Sequence, residues 1–170
     1  MIISLHSESI SQVFIALGSN LEDPLSQVRR GIMLLAGLEH SRLVKRSSLY
    51  RTAPIGHIDQ PDFINAVVQM ETSLTPYHLL DALLEIEHVC GRVRTFPNAP
   101  RILDLDILLF ENLQYNDTKL VLPHPRMHER VFVLRPLLEI VTDCVIPGKG
   151  TATACLAACT EQSLECVSPS

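Results

Sequence analysis

"RILDLDILLF", residues 101–110, sets Asp104 and Asp106 into an otherwise apolar run. Read as a strand, it places Leu103, Leu105, Ile107 and Leu109 on one face and the two aspartates on the other. Read as a helix, the aspartates point nearly oppositely and neither face is clean. The alternation therefore predicts a strand. Aspartate is depleted in strands, and like charges on one strand face repel. Such a pair asks for a cation.

The flanking sequence supplies the rest of a fold. "VFIALGS" (13–19) reads as a buried strand ended by the turn residues Gly18, Ser19 and Asn20. Pro24 to about Leu38 carries Leu25, Val28, Ile32 and Leu35 at helical spacing, with Asp23 as its cap. "SRLVKRSSLYRT" (41–52) and "FINAVVQMET" (63–72) read as strands joined by the loop "APIGHIDQPD". Thr75 caps a second helix, with Pro76 at its first position, that runs to Cys90 and stops at Gly91. The loop "RVRTFPNAP" (92–100) then leads into the aspartate strand. The order β-α-β-β-α-β predicts a ferredoxin-like α+β domain: an antiparallel sheet, helices on one face, and a C-terminal extension. The aspartates fall on the face opposite the helices. Residues 13–160 read as one domain between an N-terminal tail (1–12) and a C-terminal tail (161–170), whose "SLECVSPS" is expected to fray.

Composition narrows the function. A chain of 170 residues with 46% apolar and 19% charged residues supports a single globular core. A net charge of -5 argues against a general nucleic-acid binder. No apolar run is long enough to span a bilayer, and "MIISLHSESI" lacks the basic start of a signal peptide. The five scattered cysteines fit a reducing, cytoplasmic setting better than a disulfide framework. Cys155 and Cys159 are read as small packing residues, since no histidine flanks them.

The chemistry gathers on the open sheet face. Phe63 and Asn65 share one face of their strand, as Asp104 and Asp106 do of theirs. The second loop brings Arg92, Arg94 and Arg101, with no acidic residue between Gly91 and Arg101, a composition suited to an anion. Two readings stand. The aspartates hold Mg2+ and the arginines hold phosphate oxygens, or the face is solvated and salt-bridged to the loop. No phosphate-binding glycine loop is present; "PGKGT" (147–151) has a glycine after its lysine. "HPRMH" (124–128) spaces two histidines by four but is not H-E-x-x-H, and Pro125 argues against a helix there.

Taken together, "GSN" after the first strand, "YRTAPIGHIDQPDFIN" (50–65), "GRVR" (91–94), "APRILDLDILLF" (99–110) and "LPHPRMHERVFVLRPLLEI" (122–140) resemble 6-hydroxymethyl-7,8-dihydropterin pyrophosphokinase. The resemblance covers roughly residues 13–150. It implies a ferredoxin-like fold and pyrophosphoryl transfer from ATP to the pterin hydroxymethyl group. AMP leaves, and the product passes to dihydropteroate synthase in folate biosynthesis. It also implies two Mg2+ ions held by Asp104 and Asp106, with Arg92 and Arg101 completing the catalytic set.

The resemblance further implies a pterin slot of Phe63, Phe132 and Asn65, lined by Thr52, Pro54, Ile55 and Gly56. For ATP it implies Glu87, Arg92, Arg94, Arg101, Ile107, Lys119, Leu120, His124 and Arg130. Taken alone, Phe132 would be a core residue and Arg130 a helix cap. The chain departs from the pattern at Asn98, where some members carry tryptophan. Leu84 replaces a polar nucleotide contact, and Pro125 replaces an aromatic near the adenosine. Other classes fit less well. A non-catalytic ferredoxin-like ligand-binding module needs no aspartate pair with an arginine loop. A two-metal phosphohydrolase needs more carboxylates or histidines than the sequence supplies.

Overall fold

The computed structural model describes residues 9–56, 59–93, 96–97, 99–160 and 162–169. The chain runs β1 (Ser11–Ser19), α1 (Pro24–Ala36), β2 (Ser41–Arg46), β3 (Leu49–Thr52), β4 (Phe63–Thr72), α2 (Pro76–Val89) and β5 (Asp104–Phe110). It continues with β6 (Tyr115–Asn116), β7 (Val121–Leu122), a 3-10 turn at Met127–Glu129, α3 (Val131–Ile140), β8 (Val145–Ile146), β9 (Gly150–Thr151), α4 (Ala152–Ala158) and β10 (Glu165–Ser168). The main sheet has the order β10-β3-β4-β1-β5, with β2 also pairing β4, and every pairing is antiparallel.

Both early helices start where their caps dictate. The Asp23 carboxylate accepts the Ser26 N–H, and the Thr75 hydroxyl accepts the His78 N–H. Alternation along β1 then sorts the core. Val13, Ile15 and Leu17 pack with Val28, Ile32 and Leu35 of α1 and with Leu79, Leu83 and Ile86 of α2. Phe14 faces the other way, with Val67 and Leu108, onto Val133, Leu134 and Leu137 of α3. Each such side chain, once buried, stabilises the fold by about 1.5–3 kcal/mol.

Several expectations need correction. The two helices of the β-α-β-β-α-β unit, α1 and α2, do share one side of the sheet, but the C-terminal extension adds α3 over part of the other, so that face is not wholly open. The segment 41–52 is not one strand. It breaks at Ser47, which is stitched to β4 from both sides. The Ser47 N–H donates to the Val67 carbonyl and the Ser47 hydroxyl accepts the Val67 N–H, each at 2.9 Å.

The strict alternation of β5 also fails, after Ile107. Ile15 pairs with Ile107 but Phe14 pairs with Leu109, so Leu108 is the extra residue of a β-bulge. Leu109 therefore joins Leu108 on the α3 side, and Phe110 returns to the α1–α2 core. Lastly, residues 165–168 do not fray; they form β10 on the edge of β3. Among the described residues, no helix is long and apolar enough to cross a membrane.

Candidate active site

Side chains on the α3-facing side of β1 shrink along the strand: Phe14, Ala16, Gly18. Phe14 is covered by α3. Beyond it, Ala16 lies beside Asp106 and Val67, and Gly18 lies between Asp104 and Asn65. The small residues floor a cavity of about 350 Å³. A Cβ at Gly18 would stand 3.3 Å from Asn65 Oδ1, so the glycine gives that amide room. Neither Ala16 nor Gly18 was expected as a wall of the site. The run Phe-x-Ala-x-Gly on one strand face was the available signal.

One end of the cavity is aromatic and amide. Asn65 is 5% exposed, and its Nδ2 donates to Thr52 Oγ1 at 2.8 Å. That bond fixes the amide with Oδ1 toward Gly18. Phe63 from β4 and Phe132 from α3 line the same cavity as Pro54, Ile55 and Gly56. Among the described residues, the two phenyl rings do not stack on each other. Arg130 occupies the N-cap position of α3 but makes no side-chain cap bond. Its guanidinium instead lies 5.6 Å from the centre of the Phe132 ring.

The other end is charged. Arg101 binds one oxygen of Asp104, and Arg92 Nη1 lies 3.0 Å from the other. Arg92 also pairs with Glu87, which is 2% exposed and accepts the Leu105 N–H at 2.7 Å. Burial raises the Glu87 carboxyl above its ordinary range, against the lowering effects of the Leu105 hydrogen bond and Arg92. The arginine segment is thus not free of counter-charge, as its sequence suggests: Arg92 and Arg101 are both held by carboxylates.

Asp106 is different. Among the described residues, no lysine or arginine reaches ion-pair distance of it; His124 Nε2 stands 3.9 Å away. Its side chain is 42% exposed, but onto a cavity walled by protein rather than onto open solvent. Desolvation, and next the charge of Asp104, push its carboxyl up to about 7. His124 Nδ1 accepts the Arg126 N–H at 3.2 Å, so the neutral ring carries its proton on Nε2. Burial, and then the charge of Arg130, hold the imidazole down to about 4.

Two carboxylates on one strand face, one of them without a lysine or arginine partner among the described residues, form a hard-oxygen donor pair open to a cavity. That set fits Mg2+, which takes one or two protein carboxylates and completes its shell with water and phosphate. Among the described residues, no group of three or more histidine, cysteine, aspartate or glutamate side chains converges as a closed metal cage.

Of the residues expected at the site, Thr52, Pro54, Ile55, Gly56, Phe63, Asn65, Arg101, Asp104, Asp106, His124, Arg130 and Phe132 line this one cavity. Others do not. Ile107 and Leu120 are buried in the α1–α2 core. Arg92, expected as a catalytic and ATP residue, is outside the lining too, held between Glu87 and Asp104, and Glu87 faces Arg92 and the β5 backbone. Lys119 is exposed beside β7, outside the cavity lining. Arg94, like Asn98, lies outside the described residues. Gln60 and Arg126 line the cavity without having been anticipated. Cys155 and Cys159 are free thiols, and Cys159 donates to the Cys155 carbonyl at 3.3 Å.

Comparison with known proteins adds a second line of argument. A family model described as 7,8-dihydro-6-hydroxymethylpterin-pyrophosphokinase (HPPK) matches residues 14–142. A 2-amino-4-hydroxy-6-hydroxymethyldihydropteridine pyrophosphokinase of Haemophilus influenzae is 45% identical over 140 residues, covering 82% of this chain and 88% of that one. The Pseudomonas aeruginosa protein of the same name is 42% identical over 156 residues, 92% of this chain and 96% of its own. Among solved structures, a Plasmodium falciparum chain described as HPPK-DHPS superposes with a TM-score of 0.71 at 13% identity. That match covers 90% of this chain and 46% of the larger one, and it bears on fold alone. With the family model spanning most of the chain and relatives above 40% identity along nearly their whole length, this chain belongs to the 7,8-dihydro-6-hydroxymethylpterin-pyrophosphokinase family.

Proposed function

We propose that this protein transfers the pyrophosphoryl group of ATP to the hydroxymethyl oxygen of 6-hydroxymethyl-7,8-dihydropterin, releasing AMP, as a step of folate biosynthesis. The observation that carries the reading is one cavity with an aromatic and amide end and a carboxylate and arginine end. A flat heterocycle suits the first: Phe63 and Phe132 flank its faces, and Asn65 Oδ1 accepts from its N–H edge. A triphosphate suits the second: Arg92, Arg101 and Arg130 hold its oxygens, and His124 donates through Nε2.

Asp104 and Asp106 are assigned as ligands of two Mg2+ ions, which when bound neutralise the triphosphate and polarise the reacting phosphorus. The pterin hydroxymethyl oxygen forms a bond to the β-phosphorus and gives up its proton to water, and the bond from that phosphorus to the α–β bridging oxygen breaks. The electron pair leaves with AMP. In this scheme Glu87 acts through Arg92, and Ile107 and Leu120 meet the nucleotide only through backbone atoms.

We assign the arrangement of β1, α1, β2 with β3, β4, α2 and β5 as ferredoxin-like, within one domain that reaches past the expected 13–160 at both ends, since β1 begins at Ser11 and β10 ends at Ser168. The elements after β5 form its C-terminal extension. A cytoplasmic location and delivery of the product to dihydropteroate synthase follow from the same reading.

Incubation with Mg-ATP and the pterin alcohol tests the function. AMP and the pterin diphosphate are expected. ADP would indicate an ordinary kinase, inorganic phosphate a phosphohydrolase, and binding without turnover a ligand-binding module.

A further inference from the structure

Asn20 follows β1 directly and is 1% exposed. Its backbone N–H and both ends of its side-chain amide are engaged, and their partners come from two separate segments. Its backbone N–H donates to the Arg101 carbonyl at 3.0 Å, and its Oδ1 accepts the Arg101 N–H at 2.8 Å. Its Nδ2 donates to Gln60 Oε1 at 3.1 Å and to the Pro61 carbonyl at 3.3 Å. The amide has only one orientation that fits, because the Arg101 N–H needs an acceptor and the Pro61 carbonyl needs a donor.

The two segments serve opposite ends of the cavity. Arg101 lines the charged end and holds Asp104. Gln60 and Pro61 close the segment that begins with Thr52, Pro54, Ile55 and Gly56 at the aromatic end, and Gln60 itself lines the cavity. The base beneath Asn20 is fixed on both sides. Ser19 is paired with Ile64 of β4, and Asp23 caps α1. A residue so held cannot follow one segment without straining its bonds to the other.

We infer that Asn20 is a positioning residue that couples the two substrate sites. Ordering of Arg101 by a triphosphate is transmitted through the Asn20 amide to Gln60 and Pro61, and so to the pterin wall. The inference rests on the pyrophosphokinase reading for the identity of the two ligands. Because coupling is a ratio of affinities, it is measured without turnover, and the AMP assay on the unmutated protein judges that reading separately.

The test titrates pterin fluorescence with and without Mg2+ and a non-hydrolysable ATP analogue. In the unmutated protein the analogue is expected to tighten pterin binding about 5-fold or more, and pterin to tighten the analogue by the same factor. In Asn20→Ala that factor falls to near one, while affinity for each ligand alone changes less. Asn20→Asp keeps the acceptor for Arg101 but loses the donor for Pro61, and it too loses the factor. A merely structural role would lower both affinities together and leave their ratio intact. A wild-type factor of one, or an unchanged factor in either folded variant, overturns the inference. Should the variants fail to fold, hydrogen exchange in the unmutated protein decides: the analogue alone should slow exchange across residues 59–62, and no change there overturns it.

Discussion

Arg92 Nη1 lies 3.0 Å from Asp104 Oδ1, whereas Asp106, two residues along the same strand, meets no arginine or lysine among the described residues. The two carboxylates therefore differ in what they do for the stability of the fold. Asp104→Asn removes the counter-charge of Arg101 and one of the two counter-charges of Arg92. It should lower stability by about 1–3 kcal/mol, the cost of stranding partly buried charged partners. Asp106→Asn relieves a carboxylate pressed by desolvation and by Asp104, and should raise the melting temperature without Mg2+. Both should lose about 100-fold or more in turnover. Melting curves of the metal-free variants check the opposite signs; equal shifts would dissolve the distinction.

The same contrast sets a pH dependence. Folded Asp106 keeps its proton up to about pH 7, while the unfolded carboxyl releases it near 3.8. Between those values the native state binds more protons, so the Asp106 contribution is fully present below 3.8 and is lost as pH rises to about 7. His124 acts with the opposite sign. It is neutral in the fold down to about 4 but protonated when unfolded below 6.5, so its contribution grows with pH across that window. The two partly cancel in the wild type. Metal-free melting should show Asp106→Asn gaining on wild type from pH 4 to 7, and His124→Gln gaining as pH falls. A pH-independent offset for Asp106→Asn would contradict the perturbed carboxyl.

Much of this site was legible in the sequence because strand periodicity is local. Asp104 and Asp106 on one face of β5, Phe63 and Asn65 on one face of β4, and the caps Asp23 and Thr75 all follow from spacing alone. What escaped is set by tertiary contacts. The bulge at Leu108 depends on how β5 pairs with β1, so no alternation rule could place Leu109. The arginines looked unpaired because their partners, Glu87 and Asp104, lie on α2 and β5. The coverage by α3 was hidden in a segment that carries Pro136 within its helix. Glu87, Ile107 and Leu120 stood on motif positions, but a motif does not say which way a side chain turns.

Gly18→Ala is a test of the cavity floor. The glycine does not adopt a left-handed backbone, so an alanine strains nothing locally, yet its Cβ would press on Asn65 Oδ1 from 3.3 Å. The amide would have to shift away from its bond to Thr52. Pterin affinity should fall about 10-fold, from one displaced hydrogen-bonding group, with ATP affinity little changed. Parallel titrations with each ligand decide it; an equal loss for both would mean a general distortion of β1.

Phe63→Ala and Phe132→Ala should separate two kinds of wall. Each should weaken pterin binding by about 1–3 kcal/mol, the range for base stacking on aromatic side chains. Phe63 comes from the sheet, and its loss should spare ATP. Phe132 lies under Arg130, so its loss also frees that guanidinium and should weaken ATP binding. Identical ligand profiles for the two variants would argue against the Arg130 contact.

On the proposed reading, Arg101 and a metal ion compete for the same carboxylate. The guanidinium holds Asp104, the residue assigned to Mg2+, so metal binding there would release the arginine toward the phosphates. This exchange gives Arg101→Ala two effects of opposite sign. Without nucleotide, Asp104 loses a neutralising neighbour and should bind a divalent cation more tightly, by about 3- to 10-fold for a partly exposed pair worth up to roughly 1 kcal/mol or slightly more. With substrates present, turnover should fall far more than ATP affinity, because the lost cation would have met charge developing on the transferred group. The cation effect should shrink as salt rises, since Arg101 is about one-third exposed. Calorimetric titration with Mn2+ in place of Mg2+, at two ionic strengths, together with steady-state rates, measures both. Weaker cation binding in Arg101→Ala would show that the arginine supports the metal site instead of competing for it.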